Sequence, residues 1–294
     1  MDPGVRSRLP IIAIAVWAAL QTARISAFPI IGGVLAGDDP AVWLYPGIID
    51  LLIGLSAPLV AIAVWRKTGP WVWSAALAWF LVSLIDHAGA ITAALSSPIP
   101  EAFLGGGRST VLTSLVVGAV LDAATLVLLA SRGIRSRYLG SVRDSMLPGE
   151  PVSPRLRVAL VVWALLQIPR LIAVPVVRDI LAGHDSTAWL FPAIGDIFIA
   201  TTAPFVAIAI WRSRTAWAWA GTVLWLVLSV IDHTDTITAA LTTPVPQALS
   251  VSSPALPAFA FPLVQAAIDA TFVVLLMGAR TRSFYLRSLV TGTR

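Results

Sequence analysis

The stretch LYPGIIDLLIGLSAPLVAIAVW occupies residues 44 to 65 and contains a single charged residue, Asp50. An α-helix rises ~1.5 Å per residue, so about 20 apolar residues cross the roughly 30 Å hydrocarbon core of a bilayer. The stretch is therefore long and apolar enough for a transmembrane helix. A closely similar stretch, LFPAIGDIFIATTAPFVAIAIW, follows at residues 190 to 211.

The whole chain has the composition of a membrane protein. Of its 294 residues, 57% are hydrophobic and 12% are charged, whereas soluble domains carry about 25% charged residues. The absence of cysteine excludes disulfides, thiolate metal sites and thiol nucleophiles. We predict an all-α integral membrane protein with eight transmembrane helices, at residues 9–33, 42–66, 71–95, 110–131, 157–182, 187–211, 216–242 and 259–280.

The basic residues predict the orientation of the chain. Of the 20 Lys and Arg residues, Arg108 and Arg178 lie in connections on one side of the predicted membrane, Arg24 and Arg170 lie inside spans, and the rest lie on the other side. Because Lys and Arg are enriched in cytoplasmic loops, we expect a multi-pass protein of the cytoplasmic (inner) membrane with both termini in the cytoplasm. The isoelectric point near 10.6 then results from the basic residues that orient the chain in the membrane. Membrane lipids are the expected partners, and nucleic acid is not.

The two halves of the sequence resemble each other at an offset of about 146 residues. IDHAGAITAAL (85 to 95) matches IDHTDTITAAL (231 to 241), and all twelve tryptophans pair between the halves. Because each copy has an even number of spans, four, both copies enter the membrane in the same direction. This predicts a tandem 4+4 parallel repeat with a pseudo-twofold axis along the membrane normal. We expect a first repeat at 1–138, a cytoplasmic linker at 139–154 and a second repeat at 155–294.

Both copies carry ionisable residues inside predicted spans. Each such group costs at least roughly 2.5 to 3.5 kcal/mol on insertion scales, so these groups should face the bundle interior or a water-filled cavity. The candidate ligand- or proton-binding residues are Arg24, Asp50, Asp86, His87, Asp122, Arg170, Asp196, Asp232, His233, Asp235 and Asp269. Side chains one or two helical turns away on the same face are the candidate cavity walls: Trp17, Gln21, Trp79, Trp163, Gln167 and Trp225.

Residue counts from the span ends place Arg24, Asp50 and Asp86 in the outer half of the bilayer and Asp122 nearer its middle, so the predicted cavity opens to the outside. The carboxyl groups outnumber the cations, and therefore some carboxyls must be protonated or a cation must bind. Pro29 and Pro175 fall within their spans, where a missing N–H loosens the helix. The second copy is the more polar one, because Asp235, Thr236 and Gln265 replace Gly89, Ala90 and Gly118. This difference favours the second copy as the principal ligand contact.

Each of these residues also has a purely structural interpretation. Arg24 could form an ion pair with Asp50 or Asp86 that only holds helices together. His87 and His233 could ligate a metal or haem, although a hydrogen-bonded interior histidine fits the pattern better, and no metal or cofactor is predicted. The deeper tryptophans could simply pack. Those near the inner loops are expected to form an interfacial aromatic belt: Trp65, Trp71, Trp73, Trp211, Trp217 and Trp219.

The pattern favours a proton- or ion-coupled secondary transporter of a small cationic or amphipathic solute, bound by intramembrane aspartates. No ATP-binding motif is present, and no hydroxyl has a recognisable His–Asp partner by spacing. An integral-membrane enzyme acting on a lipid or isoprenoid, with a buried aspartate as general acid, is the alternative. A membrane scaffold or sensor is the third possibility, so the sequence leaves open whether the chain is an enzyme.

Overall fold

The computed structural model describes residues 8–66, 68–103, 107–140, 154–213, 215–249, 259–278, 281 and 285. All regular structure within these ranges is helical. Eight helices there are long and apolar enough to cross a membrane, as predicted. In chain order they are spans 1 to 8: Leu9–Ala36, Ala41–Arg66, Pro70–Ser96, Gly107–Ala130, Pro154–Leu181, Thr187–Arg212, Ala216–Thr242 and Ala260–Met277.

The spans are built from α-helices and short 3-10 segments. The α-helices are α1 Leu9–Leu20, α2 Phe28–Ala36, α3 Leu44–Arg66, α4 Pro70–Ser96, α5 Gly107–Ala130, α6 Arg132–Gly140, α7 Pro154–Leu165, α8 Ala173–Leu181, α9 Leu190–Arg212, α10 Ala216–Thr242 and α11 Ala260–Met277. The 3-10 segments are Gln21–Ala27, Ala41–Trp43, Glu101–Phe103, Ile168–Ile172, Thr187–Trp189 and Gln247–Leu249. The predicted linker 139–154 lies outside the described residues except at its two ends.

The chain forms two compact units, Met1–Val142 and Arg143–Arg294. Each unit exposes large apolar side chains, with Leu35 and Phe205 more than 70% exposed. Each unit also buries aspartate, histidine and glutamine side chains. This is the arrangement expected of helices that face lipid, where ionisable groups turn toward the protein interior.

Small residues allow the first three spans of unit 1 to pack closely around Trp43. Ala27 and Ile30 of span 1 pack with Trp43 of span 2 and with Ala90 and Ala93 of span 3. Small side chains let helix backbones approach, which compensates for the weak hydrophobic drive between helices in lipid. Unit 2 has a corresponding cluster around Trp189.

Spans 1 and 5 are not continuous α-helices. The 3-10 segment Gln21–Ala27 joins α1 to α2, and Ile168–Ile172 lies between α7 and α8. Pro29 and Pro175 lie in the first turns of α2 and α8, where a residue without an N–H is tolerated. The predicted loosening at these prolines therefore takes the form of a local change in helix type. Such a 3-10 segment inside a helix often marks a functional position.

Two tryptophans expected in the interfacial belt lie inside the protein instead. Trp73 and Trp219 are both 0% exposed, and their indole N–H groups donate to Leu129 O and Leu276 O at 2.8 Å. The belt prediction was wrong for this pair because residues two apart point to opposite sides of a helix. Trp71 and Trp217 are exposed, as the belt prediction requires.

The helix α6 follows span 4, and its Tyr138 side chain packs against the end of span 2. The Tyr138 hydroxyl donates to Val64 O at 2.8 Å. Burial raises the pKa of the Tyr138 phenol above its ordinary value, so the side chain remains a neutral donor at physiological pH. The exposed Arg132 and Arg137 lie on the same short helix. The tyrosine thus ties a basic surface segment to the end of a span.

We expect Trp73→Phe to destabilise the protein because it leaves Leu129 O without its donor inside the protein. The expected loss is about 1 to 3 kcal/mol, measured as a lower midpoint of unfolding in detergent. Trp71→Phe is the matched control two residues away, and its exposed ring should make little difference. Equal effects of the two substitutions would contradict this assignment.

Candidate functional site

In unit 1, one guanidinium joins three spans. Arg24 Nη1, on the 3-10 segment of span 1, lies 3.1 Å from Asp50 Oδ1 of span 2 and 2.9 Å from Asp86 Oδ2 of span 3. Arg24 Nη2 lies 2.7 Å from the ring nitrogens of His87. The rigid donor fork of arginine can satisfy several partners at once, which the ammonium of lysine could not do in the same plane. Arg24, Asp50 and Asp86, which were expected at similar depth, therefore lie together, and His87 joins them.

The close approach of spans 1 and 2 depends on a glycine. A Cβ placed on Gly54 would lie 2.7 Å from the backbone nitrogen of Ile25, nearer than side-chain carbons normally approach. Gly54 lies one helical turn after Asp50, and Ile25 directly follows Arg24. The missing side chain thus lets the backbone carrying the arginine pack against the helix carrying the aspartate.

A third acid in unit 1 is enclosed by hydrogen-bond donors. Asp122 of span 4 is 0% exposed. Its Oδ1 accepts from Trp17 Nε1 at 2.8 Å and Gln21 Nε2 at 3.0 Å. Its Oδ2 accepts from Ser83 Oγ at 2.6 Å and lies 3.0 Å from His87 Nδ1. His87 therefore connects Asp122 to the arginine cluster, and two predicted wall residues bind an acid directly.

Unit 2 contains a similar arginine cluster with different details. Arg170 Nη1 lies 3.0 Å from Asp196 Oδ1 and 2.7 Å from Asp232 Oδ2. Arg170 Nη2 donates to Ser229 Oγ at 3.0 Å and contacts the ring of His233. Ser229 thus accepts a hydrogen bond from the arginine, whereas Ser83 of unit 1 donates to the aspartate of span 4.

The last acid of unit 2 is held more loosely than its counterpart. Trp163 Nε1 donates to Asp269 Oδ1 at 2.6 Å, and His233 Nε2 lies 3.4 Å from Asp269 Oδ2. Gln167 is 0% exposed, and neither atom of its amide has a hydrogen-bond partner. Asp235 is 7% exposed, and its Oδ2 also has no partner.

Two glycines account for part of this difference. A Cβ on Gly118 would collide with the imidazole of His87, so the glycine makes room for that ring. Gln265 occupies the matching position of unit 2. Gly195 makes room for the carboxylate of Asp232 in unit 2, where unit 1 has Ile49. The two clusters therefore differ in shape as well as in charge.

Two predicted wall tryptophans make contacts that sequence reasoning missed. Trp79 Nε1 donates to Ser56 Oγ at 2.8 Å, and Trp225 Nε1 donates to Thr202 Oγ1 at 2.9 Å. Ser56 and Thr202 occupy matching positions in the repeated stretches. The hydroxyl group present at both positions is the sequence feature that could have predicted these contacts. These indoles connect spans 2 and 3, and spans 6 and 7. Their role as cavity walls stays a prediction.

Unit 1 brings a serine, a histidine and an aspartate together, which spacing alone did not reveal. The Ser83 hydroxyl donates to Asp122 and not to the His87 ring. A nucleophilic serine must instead give its proton to histidine, so this arrangement is not that of an acyl-transfer triad. Within the described ranges, no group of three His, Asp or Glu side chains is arranged to hold a metal ion.

No known family model, curated protein or solved structure matches this chain.

We expect Arg24→Leu to destabilise the protein strongly, because it leaves Asp50 and Asp86 buried without their cation. Breaking a buried ion pair in this way costs about 3 to 5 kcal/mol, measured from the unfolding midpoint in detergent. Replacing Arg24, Asp50 and Asp86 together by leucine should restore much of the loss. Arg178→Leu, at an exposed ion pair, is the control and should have little effect. A small loss with Arg24→Leu would contradict the assigned geometry.

Proposed function

We propose that this polytopic helical membrane protein is a proton- or cation-coupled secondary carrier of a small cationic or amphipathic solute. One observation carries the proposal: each unit buries more carboxyl groups than cations around a single arginine. Asp50 and Asp86 contact Arg24 in unit 1, and His87 connects Asp122 to this pair. Buried charge of one sign is expensive unless a proton or a cation neutralises it.

The excess is larger in unit 2. Arg170 contacts Asp196 and Asp232, while Asp269 and Asp235 have no arginine partner among the described residues. Groups of this kind exchange protons or bind cations when the surrounding helices open. The histidines support a proton path, because each contacts both the arginine and the aspartate of the last span in its unit.

The repetition of these contacts supports two further parts of the proposal. The arginine pairs and the tryptophan hydrogen bonds recur at positions about 146 residues apart, which favours a tandem 4+4 repeat related by a pseudo-twofold axis along the membrane normal. The basic residues favour the cytoplasmic membrane with both termini inside. In this orientation the acid clusters would communicate with the outside.

We expect Asp86→Asn and Asp232→Asn to abolish proton movement coupled to solute uptake. The probes are ethidium and benzyltrimethylammonium, added outside proteoliposomes that contain the full chain, an acidic lumen and a trapped pH-sensitive dye. Uptake by the unaltered protein should raise the lumen pH, since protons leave as the cation enters. The two variants lack an exchangeable carboxyl at the arginine and should resemble empty vesicles.

Asp38→Asn is the matched control, because it removes a carboxyl from an exposed connection. It should retain coupled uptake. Unchanged uptake in both cluster variants, or uptake indifferent to the pH gradient, would contradict the carrier proposal. A co-purified lipid that is chemically altered on incubation, without proton movement, would instead favour the membrane-enzyme alternative.

The orientation can be tested without removing any native thiol, because the chain has no cysteine. His184→Cys lies between spans 5 and 6, and Ser136→Cys lies in α6; both positions are exposed. In intact cells, a membrane-impermeant maleimide should label position 184 and should label position 136 only after lysis. The reverse pattern would overturn the proposed topology.

A further inference from the structure

Unit 2 contains a group of buried polar atoms that no protein atom satisfies. They are both amide atoms of Gln167, the Nε of Arg170 and the Oδ2 of Asp235. Asp269 Oδ2 also makes no hydrogen bond, and its nearest cationic partner is His233 Nε2 at 3.4 Å. Among the described residues of the polar cluster in unit 1, only Asp86 Oδ1 is a buried atom without a hydrogen-bond partner. Buried polar groups in native proteins are almost always paired with protein or with ordered water. The unsatisfied atoms of unit 2 therefore indicate an occupant.

The glutamines of the two units make the contrast plainest. Gln21 Nε2 donates to Asp122 Oδ1 at 3.0 Å and thereby fills the space beside that acid. Gln167 occupies the matching position of unit 2 but makes no such bond, although it is 0% exposed. Leaving a primary amide buried without partners is costly. A bound molecule between Gln167 and Asp269 removes that cost.

The neighbours of Gln167 show where its amide points. Trp163, one turn earlier, reaches Asp269, and Arg170, one turn later, reaches Asp232 and His233. Residues three or four apart share one helix face. The fully buried Gln167 amide thus lies on the face directed at Asp269 and the arginine cluster.

We propose that unit 2 holds a water molecule between Gln167, Arg170 and Asp269, at a place that Gln21 closes in unit 1. The atoms without partners include two donors, the Gln167 amide nitrogen and Arg170 Nε, and two acceptors, Gln167 Oε1 and Asp269 Oδ2. A water molecule donates two hydrogen bonds and accepts two, and buried waters typically make about three. This set matches water better than it matches a simple cation, which would lie against Arg170.

The consequence concerns which unit exchanges protons. The water gives Asp269 and His233 a hydrogen-bonded route that the enclosed Asp122 lacks. The acids of unit 2 then exchange protons more readily than those of unit 1, where protein donors enclose Asp122. This role in proton exchange rests on the proposed carrier function, whereas the water site rests on the geometry alone.

Hydroxyl-radical footprinting tests the site directly in the purified full chain. Radiolysis generates radicals from bound water, and these oxidise the nearest reactive side chains. Trp17 and Trp163 are matched reporters: both are half-buried, and each donates to the acid of its unit, Trp17 at 2.8 Å and Trp163 at 2.6 Å. We expect mass spectrometry to find Trp163 oxidised several-fold faster than Trp17. In Gln167→Leu, the Trp163 rate should fall to that of Trp17.

A matched pair of variants provides a second measurement. Gln21→Leu should lower the melting temperature by a few degrees, because Asp122 loses a donor. Gln167→Leu should lower it as well, because the amide loses its hydrogen bonds to the bound water. If Gln167→Leu fails to fold, the ratio of the two tryptophan rates in the unaltered protein still decides the question.

Equal oxidation of Trp17 and Trp163 would overturn the proposal. So would a Gln167→Leu variant at least as stable as the unaltered protein, since the amide would then have had no bound partner to lose. Slow Trp163 oxidation together with a small molecule detected by native mass spectrometry would assign the site to a solute and not to water. Footprinting needs no transport, so the water site and the carrier proposal can fail independently.

Discussion

A positive charge buried at membrane depth must be met by carboxylates, and this requirement organises each unit. Arg24 lies on the first span of its unit, and Asp50 and Asp86 lie on the next two. A guanidinium in hydrocarbon would cost several kcal/mol, whereas the same group between two carboxylates is stabilised by each of them. The overwound segment at Gln21–Ala27 and the missing side chain at Gly54 both serve to bring these charges together.

A second layer of polar contacts surrounds the ion pairs and draws in the fourth span. Asp122 and Asp269 accept hydrogen bonds from Trp17 and Trp163, and histidine connects each acid to its arginine cluster. Buried polar networks have their full effect on stability and specificity only when every member is satisfied. In unit 1 nearly every polar group of the network has a hydrogen-bond partner, whereas several polar groups of unit 2 have none. Similar sequences therefore produce two different local chemistries.

The number and limits of the spans follow from the sequence because apolar length in a bilayer admits few alternatives. The convergence of Arg24, Asp50 and Asp86 was also predictable, since costly charges must face one another. Other features depend on rotamers and on close backbone approach, which periodicity does not encode. Examples are the different partners of Ser83 and Ser229, the space beside Gly118, and the inward turn of Trp73.

The position of the arginine in the chain also bears on how the protein is made. The ribosome delivers Arg24 before Asp50 and Asp86, so the first segment reaches the translocon while its counter-ions are still unsynthesised. The same order holds for Arg170 relative to Asp196 and Asp232. Until the next two spans emerge, the charge of each arginine-bearing segment has no carboxylate partner and can be accommodated by snorkelling toward the headgroups. The ion pairs of each unit can therefore form only after three of its spans have been synthesised.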